Sequence, residues 1–192
     1  MKNDSNWIIV RIDGKIAAIS TDYRHLASIT ARLAKDCKTR YGEITATTAC
    51  FDEVWQLKET TGWEDMMLFG TDFQKKVWKK LYELTRPENN GSRTPRLISY
   101  SDFAELCQNR AGVRAVAHAV GLNPISILIP CHLVVPKEAI DKMKMINKKA
   151  EATIFKGVDL CLNTILKNEG IDFGNYAMGP GLKRKLISME LT

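Results

Sequence analysis

The sequence predicts two units: a small α/β N-terminal domain, a sheet plus a helix over residues 1–70, and a mainly α, helix-turn-helix (winged-helix-like) domain over 71–192. Three stretches carry that reading. "NWIIVRIDGKIAAIS" is two apolar runs joined by Asp13-Gly14, a dipeptide suited to the positive φ angles of a tight hairpin turn. "GTDFQKKVWKKLYEL" opens the second part as an amphipathic helix. "SYSDFAELCQNRAGVRAVAHAVGLNP" holds two short apolar-faced helices, about 101–109 and 112–120, around a tight "NRAG" connection.

The elements follow in order. After the hairpin, "DYRHLASITARLAKDC" sets Leu26, Ile29 and Leu33 at helical spacing, and "EITATTACF" alternates like a strand. His25 falls on that first helix with no partner at metal-ligand spacing and is expected on its surface. Thr71 followed by Gln74 forms a capping box, and Phe73, Val77, Trp78, Leu81 and Leu84 make one stripe above a lysine-rich face. Two prolines and a glycine in "RPENNGSRTPR" mark an exposed loop. Gly121 closes the second short helix, with Pro124 just beyond.

Composition narrows the class little. Of 192 residues, 45% are hydrophobic and 26% charged, which excludes a disordered or fibrous chain. No apolar stretch approaches the roughly 20 residues of a membrane span, and the first residues lack a signal-peptide pattern, so a cytoplasmic, monomeric protein is expected. Residues 1–70 carry 9 basic and 10 acidic side chains and residues 71–192 carry 19 and 12, so the whole positive excess behind the net charge of +6 sits in the second part. That asymmetry suits a polyanionic partner as well as a solvated basic face. Cys37, Cys50, Cys107, Cys131 and Cys161 have no C-x-x-C spacing, and most are expected to be reduced and buried; no metal site or cofactor is expected.

Two features leave a choice open. Arg114 stands at the start of the second short helix among Ala115, Val116, Ala117 and Ala119. It suits entry into a DNA groove, and equally a surface pairing with Glu105. In "ILIPCHLVVP", Pro130 ends an apolar run and leaves Cys131 and His132 at a strand end or turn. Cys131 is either a buried structural thiol or a nucleophile, and on an extended backbone the two side chains would point apart unless the chain turns or a water bridges them.

The ordered segments "GTDFQKKVW", "SY" at 99–100, "RAV" at 114–116, "NPISILIPCH" at 123–132, "GNYAMG" at 174–179 and "KRKLISME" at 183–190 resemble the O(6)-alkylguanine-DNA alkyltransferases. The resemblance covers most of 70–135 and returns at 174–190. It implies an alkyltransferase domain that moves an alkyl group from the O6 of guanine in double-stranded DNA to Cys131, once per molecule. His132 would take the thiol proton through a water, Glu190 would orient the imidazole, and Asn123 would tie the turn to the helix-turn-helix. Tyr100 would donate a proton to the leaving base and Lys183 would polarise it. Arg114 would replace the flipped nucleotide, with Ser101, Asn109, Ala115 and Tyr100 contacting DNA. Tyr176, Ala177 and Val135 would line the base pocket.

The pattern breaks in three places. Leu133 stands where the family has an arginine, and Ala117 then His118 where a glycine follows "RAV". Residues 136–173 form a 38-residue stretch where the resemblance implies a short turn. Ile140, Met143 and Ile146 in its first half, and the apolar face of "ATIFKGVDLCLNTIL" in its second, predict a pair of inserted helices packed on each other or on the core. Two further classes are a non-catalytic helix-turn-helix recogniser of alkylated DNA and an unrelated cysteine hydrolase.

Overall fold

The computed structural model describes residues 6–35, 42–86, 97–154 and 170–191, with side chains omitted for 33–35 and 147–154. Strands β1 (Trp7–Ile12) and β2 (Lys15–Ser20) pair antiparallel, and β3 (Ile44–Ala49) flanks β1 on the other side, giving the order β2-β1-β3. Asp13 and Gly14 adopt φ of 50° and 78°, the double positive turn that matches strand twist. Helix α1 (Tyr23–Lys35) packs Leu26 and Ile29 against Ala18 of β2. Helix α2 (Phe51–Thr60) turns Phe51, Val54 and Lys58 inward at i, i+3 and i+7.

Helix α3 (Asp72–Glu83) starts with the expected capping box: Gln74 N donates to Thr71 Oγ1 at 3.2 Å and Thr71 N donates to Gln74 Oε1 at 2.9 Å. Its inner face is Val77, Trp78, Leu81 and Tyr82, with Phe73 and Leu84 at the margin. The Trp78 indole donates to Ala119 O at 2.8 Å and so locks α3 onto the second helix of the helix-turn-helix.

That motif is α4 (Tyr100–Leu106), a 3-10 turn (Arg110–Gly112) and α5 (Val113–Gly121). Between them Gln108 has φ 56°, with Gln108 N donating to Glu105 O and Asn109 N to Ala104 O. These two bonds terminate α4 as a Schellman cap built on a residue other than glycine. Gly121 is the last residue of α5, not a left-handed cap after it.

Strands β4 (Ile98–Ser99) and β5 (Val134–Val135) pair in parallel, Ile98 with Val134 and Ser99 with Val135. This brings the start of α4 beside the chain that follows Cys131. Helix α6 (Lys137–Ile154) occupies the place of the first expected inserted helix, and its Met143, Ile140 and Ile146 pack with Val135, Phe173 and Ile187. The second apolar face, at 152–166, lies almost wholly outside the described residues. Helix α7 (Pro180–Leu191) buries Lys183, Leu186, Ile187 and Glu190.

One apolar cluster runs from Trp7 and Ile19 through Val54, Trp78 and Val120 to Ile125, Leu128 and Leu186. Two expectations change. His25 is buried, with Nδ1 at 3.0 Å from Ser20 Oγ and Nε2 at 3.0 Å from Asn123 O, because α1 lies against β2 and the end of α5 at once. Among the described cysteines Cys131 is buried, while Cys50 is exposed and Cys107 half-exposed; all three are free thiols.

Candidate active site

The chain from Asn123 to Val135 is buried throughout. Strand β2 anchors its beginning: Ile19 N donates to Pro124 O at 3.0 Å and Ser126 N donates to Ile19 O at 3.2 Å. Ile127 then takes φ 73°, a conformation that costs a β-branched residue about 1–3 kcal/mol and persists only where surroundings impose it. Here they do: Ile127 is fully buried, and Leu128 N and Ile129 N donate to Ser126 O and Ile125 O. After Pro130 the chain enters a 3-10 turn, Cys131–Leu133, that leads into β5.

Asn123 holds the turn from inside. Its Nδ2 donates to Ile129 O at 2.8 Å and lies 3.1 Å from Cys131 Sγ, while its Oδ1 accepts from Ile125 N at 3.1 Å. Burial pushes the Cys131 thiol up, opposed by the Asn123 donor and the positive charge of Lys183. The Tyr176 hydroxyl is buried near Cys131 and Ser126 without a well-formed hydrogen bond to either, and burial pushes its phenol well above the ordinary range.

His132 is fully buried and turns away from the thiol, its Nε2 3.0 Å from Glu190 Oε1. Its Nδ1 is buried and has no hydrogen-bond partner. Burial lowers the imidazole's affinity for a proton against the pull of Glu190. The same Glu190 oxygen accepts from the Lys58 ammonium of α2. Burial alone would lift the Glu190 carboxyl, but the hydrogen bond and charge of His132 together with Lys58 hold it below the ordinary range. Lys183 donates to Val134 O at 2.9 Å and Asn175 O at 3.4 Å, and burial brings its pKa down to about 8 against the attraction of Cys131 and Asp172. Gly174, with φ 78°, passes so close to Pro136 that a Cβ would lie 3.2 Å from its ring, which keeps the 174–179 loop against β5.

A cleft of about 440 Å³ opens over the thiol, within the range of small-molecule sites. Tyr100, Asn123, Ser126, Cys131, Tyr176 and Ala177 line it, and Ala117, Val120 and Gly121 of α5 form one wall. The structure therefore brings together Cys131, Asn123, Tyr100, Tyr176 and Ala177 there, and His132 with Glu190 behind it. Val135 is a correction: its side chain is fully buried in the second apolar cluster with Ala139 and Phe173, because the β4–β5 pairing turns it away from the cleft. Lys183 lies behind the cleft, held by backbone carbonyls, and does not line it.

On the outer face Arg114 and Ala115 are exposed on the first turn of α5, and Ser101 on the first turn of α4. Asn109 caps the connecting turn and packs over Gly112. Glu105 lies 3.9 Å from Arg110, so the acid considered for Arg114 faces another arginine. Among the described residues no group of three or more His, Cys, Asp or Glu side chains is placed to hold a metal ion, and no helix is long and apolar enough to cross a membrane.

Two contributors had not been expected. Ser126 hides in an apolar run. Lys58 left a readable trace, a lysine at the buried position of an amphipathic helix, four residues after Val54.

A helix-turn-helix packed on a small sheet, with a buried thiol at the floor of a cleft and a carboxylate-bound imidazole behind it, defines a helix-turn-helix class of protein that carries a cysteine centre. Residues 72–153 match the family described as "6-O-methylguanine DNA methyltransferase, DNA binding domain". It is 47% identical over 73 residues to the "Probable methylated-DNA--protein-cysteine methyltransferase" of Acanthamoeba polyphaga mimivirus, covering 38% of this chain and 44% of that one. Over 69 residues it is 42% identical to the methylated-DNA--protein-cysteine methyltransferase of Haemophilus influenzae, covering 36% and 34%. The chain thus spans under half the length of these relatives. The fold resembles the O6-methylguanine-DNA methyltransferase of Pyrococcus kodakaraensis, with TM-score 0.52 and 22% identity over 97% of this chain and 92% of that one.

Proposed function

We propose that the protein repairs duplex DNA by transferring a methyl or larger alkyl group from the O6 of guanine to Sγ of Cys131. The observation that carries the reading is the pairing of a cleft-floor thiol with a buried imidazole whose Nδ1 has no partner while Nε2 is bound to Glu190. That imidazole is fixed in orientation and has one lone pair free to accept a proton.

The thiol proton passes to His132 Nδ1 through a water, and the thiolate attacks the alkyl carbon in line with the C–O6 bond. A C–S bond forms, the C–O6 bond breaks, and guanine leaves with a proton from Tyr100, which stands on the same cleft. Asn123 and the charge of Lys183 steady the thiolate. Lys183, behind the cleft, acts on the thiol rather than on the base. The product is a thioether, and no group in the cleft offers a way to cleave it, so each molecule acts once.

The O6 atom is stacked inside a duplex, so the nucleotide is flipped into the cleft at a cost of a few kcal/mol. The small residues of α5 allow close approach, and Arg114 fills the vacated stack from the minor groove. Ser101, Asn109 and Ala115 meet the backbone alongside, in a winged-helix-like mode, and Tyr176 and Ala177 hold the base. Residues 1–70 serve as a supporting unit to the alkyltransferase unit 71–192.

Intact-mass measurement after incubation with a duplex carrying O6-methylguanine tests this. Wild type gains one methyl, located on Cys131, and Cys131→Ser gains none. Unmodified wild type that still binds the duplex would make the protein a recogniser. Release of product with turnover would make it a hydrolase.

A further inference from the structure

We propose that Lys58 is a positioning residue for the thiol chemistry: its ammonium, reaching across from α2, holds Glu190 as a carboxylate and so keeps His132 in the tautomer whose Nδ1 can accept the thiol proton. The proposal rests on the reading of Cys131 as nucleophile and extends it to a residue far from the cleft.

The geometry is a chain of three buried groups on three elements. Lys58 lies on α2, Glu190 on α7 and His132 on the turn that carries Cys131, and both Lys58 and His132 bond to the same oxygen, Glu190 Oε1. Lys58 is only 7% exposed, and a lysine is rarely so buried unless paired. Its stem passes the Trp55 ring, with Nζ 4.8 Å from the centroid, and its backbone carbonyl accepts from Arg86 at 2.8 Å. Other charged groups facing the trio are Glu59 and Arg86 around Lys58, and Lys183 near His132.

A buried carboxylate needs one compensating positive charge. Lys58 supplies it, which frees His132 to stay neutral: Nε2 carries the hydrogen bonded to Glu190 and Nδ1 presents its lone pair. Without the ammonium, the Glu190–His132 pair takes up one proton instead. If that proton makes an imidazolium, Nδ1 carries a hydrogen. If it makes Glu190 a carboxylic acid donating to Nε2, the neutral imidazole must carry its own hydrogen on Nδ1. Both outcomes block the acceptor. The block is relieved only when pH rises far enough to remove the extra proton, so removing Lys58 moves the acid limb of the reaction to higher pH. An opposite charge at this range typically shifts a neighbour by about 1–3 pH units, and roughly 1–2 is expected here.

The test is the single-turnover methyl-transfer rate against pH for the full chain and for Lys58→Met, Lys58→Gln and Lys58→Arg, paired with NMR titration of the His132 imidazole. The Met and Gln variants are expected to move both the acid limb and the imidazole titration upward by roughly 1–2 pH units while keeping the high-pH plateau. The Arg variant returns both toward wild type. Lys58→Gln retains a donor to Glu190, which guards against a Met variant that fails to fold. An unmoved acid limb in folded Gln or Met protein overturns the proposal, as does an Arg variant shifted as far as Gln. If wild type itself takes no methyl, the repair reading fails, and the imidazole titration still decides the role of Lys58.

Discussion

Asn123→Ala strikes the point where fold and chemistry meet. The amide makes three interactions: to Ile129 O at 2.8 Å, to Ile125 N at 3.1 Å and to Cys131 Sγ at 3.1 Å. Ile125 is fully buried, so alanine leaves its N–H unpaired at about 1–3 kcal/mol, while Ile129 O keeps the bond from Cys131 N at 2.8 Å and loses only its second donor, at about 0.5–1.5 kcal/mol. The expected loss is about 1.5–4.5 kcal/mol, a large part of the 5–15 kcal/mol typical of a folded domain. A hydrogen bond to a charged sulfur is worth about 1.5–3 kcal/mol, and about 1.4 kcal/mol corresponds to one pKa unit, so the thiol midpoint rises by about 1–2 units. Urea unfolding reads the first effect. The pH midpoint of Cys131 capture by iodoacetamide reads the second, and a midpoint is insensitive to any change in access. Asn123→Asp keeps the shape and the acceptor for Ile125 N but loses both donors and sets a like charge beside the thiolate, so its midpoint lies above that of Ala. An Ala midpoint equal to wild type, or an Asp midpoint below Ala, would refute the assignment of Asn123 as the thiolate's hydrogen-bond donor.

Two other outcomes follow from the same structure. Arg114→Ala is expected to slow methyl transfer from duplex DNA by roughly tenfold or more while leaving reaction with the free alkylated base unchanged, since exposed Arg114 touches neither the thiol nor the cleft lining; equal losses on both substrates would remove its flipping role. His25→Gln is expected to flatten the acid side of the stability profile. Burial lowers the imidazole below its ordinary 6.5, so the unfolded chain takes up the proton first, and its contribution is present above 6.5 and lost as pH falls toward the lower folded value. Urea midpoints at about pH 7.5 and about pH 5.5 should differ less in the variant than in wild type, and an unchanged difference would contradict that role.

Local signals were legible wherever a residue's reason is local. Asp13-Gly14 specified its turn, Thr71 and Gln74 their cap, and the stripe from Phe73 to Leu84 its buried face. The pairing of His132 with Glu190 spans 58 positions, and motif order alone suggested it. What stayed hidden depends on where distant elements come to rest. His25 reads as a surface residue until α1 is placed against Asn123, 98 positions away. Lys58 reads as one more helix lysine until α7 brings Glu190 beside it, 132 positions away. Val135 was misread for the opposite reason: its neighbours carry the site, but strand pairing turns alternate side chains apart, and its own goes to the second core.

Leu133 breaks the family pattern with a side chain that is fully buried at the end of the thiol turn, a place where an unpaired guanidinium would be desolvated. The buried cations of the site come instead from helices remote in sequence, Lys183 of α7 near the thiol and Lys58 of α2 behind it on Glu190. Counting those two lysines and the Glu190 carboxylate, the buried site carries one uncompensated positive charge while Cys131 is a thiol and His132 is neutral. Passing the thiol proton to His132 keeps that net charge but sets a thiolate among the cations, giving three positive and two negative groups. Burial opposes ionisation of Cys131, yet the charge that burial makes expensive is the one that balances the lysines. The apolar Leu133 fits that arrangement, because it fills the end of the turn without adding a buried charge that would need a partner of its own.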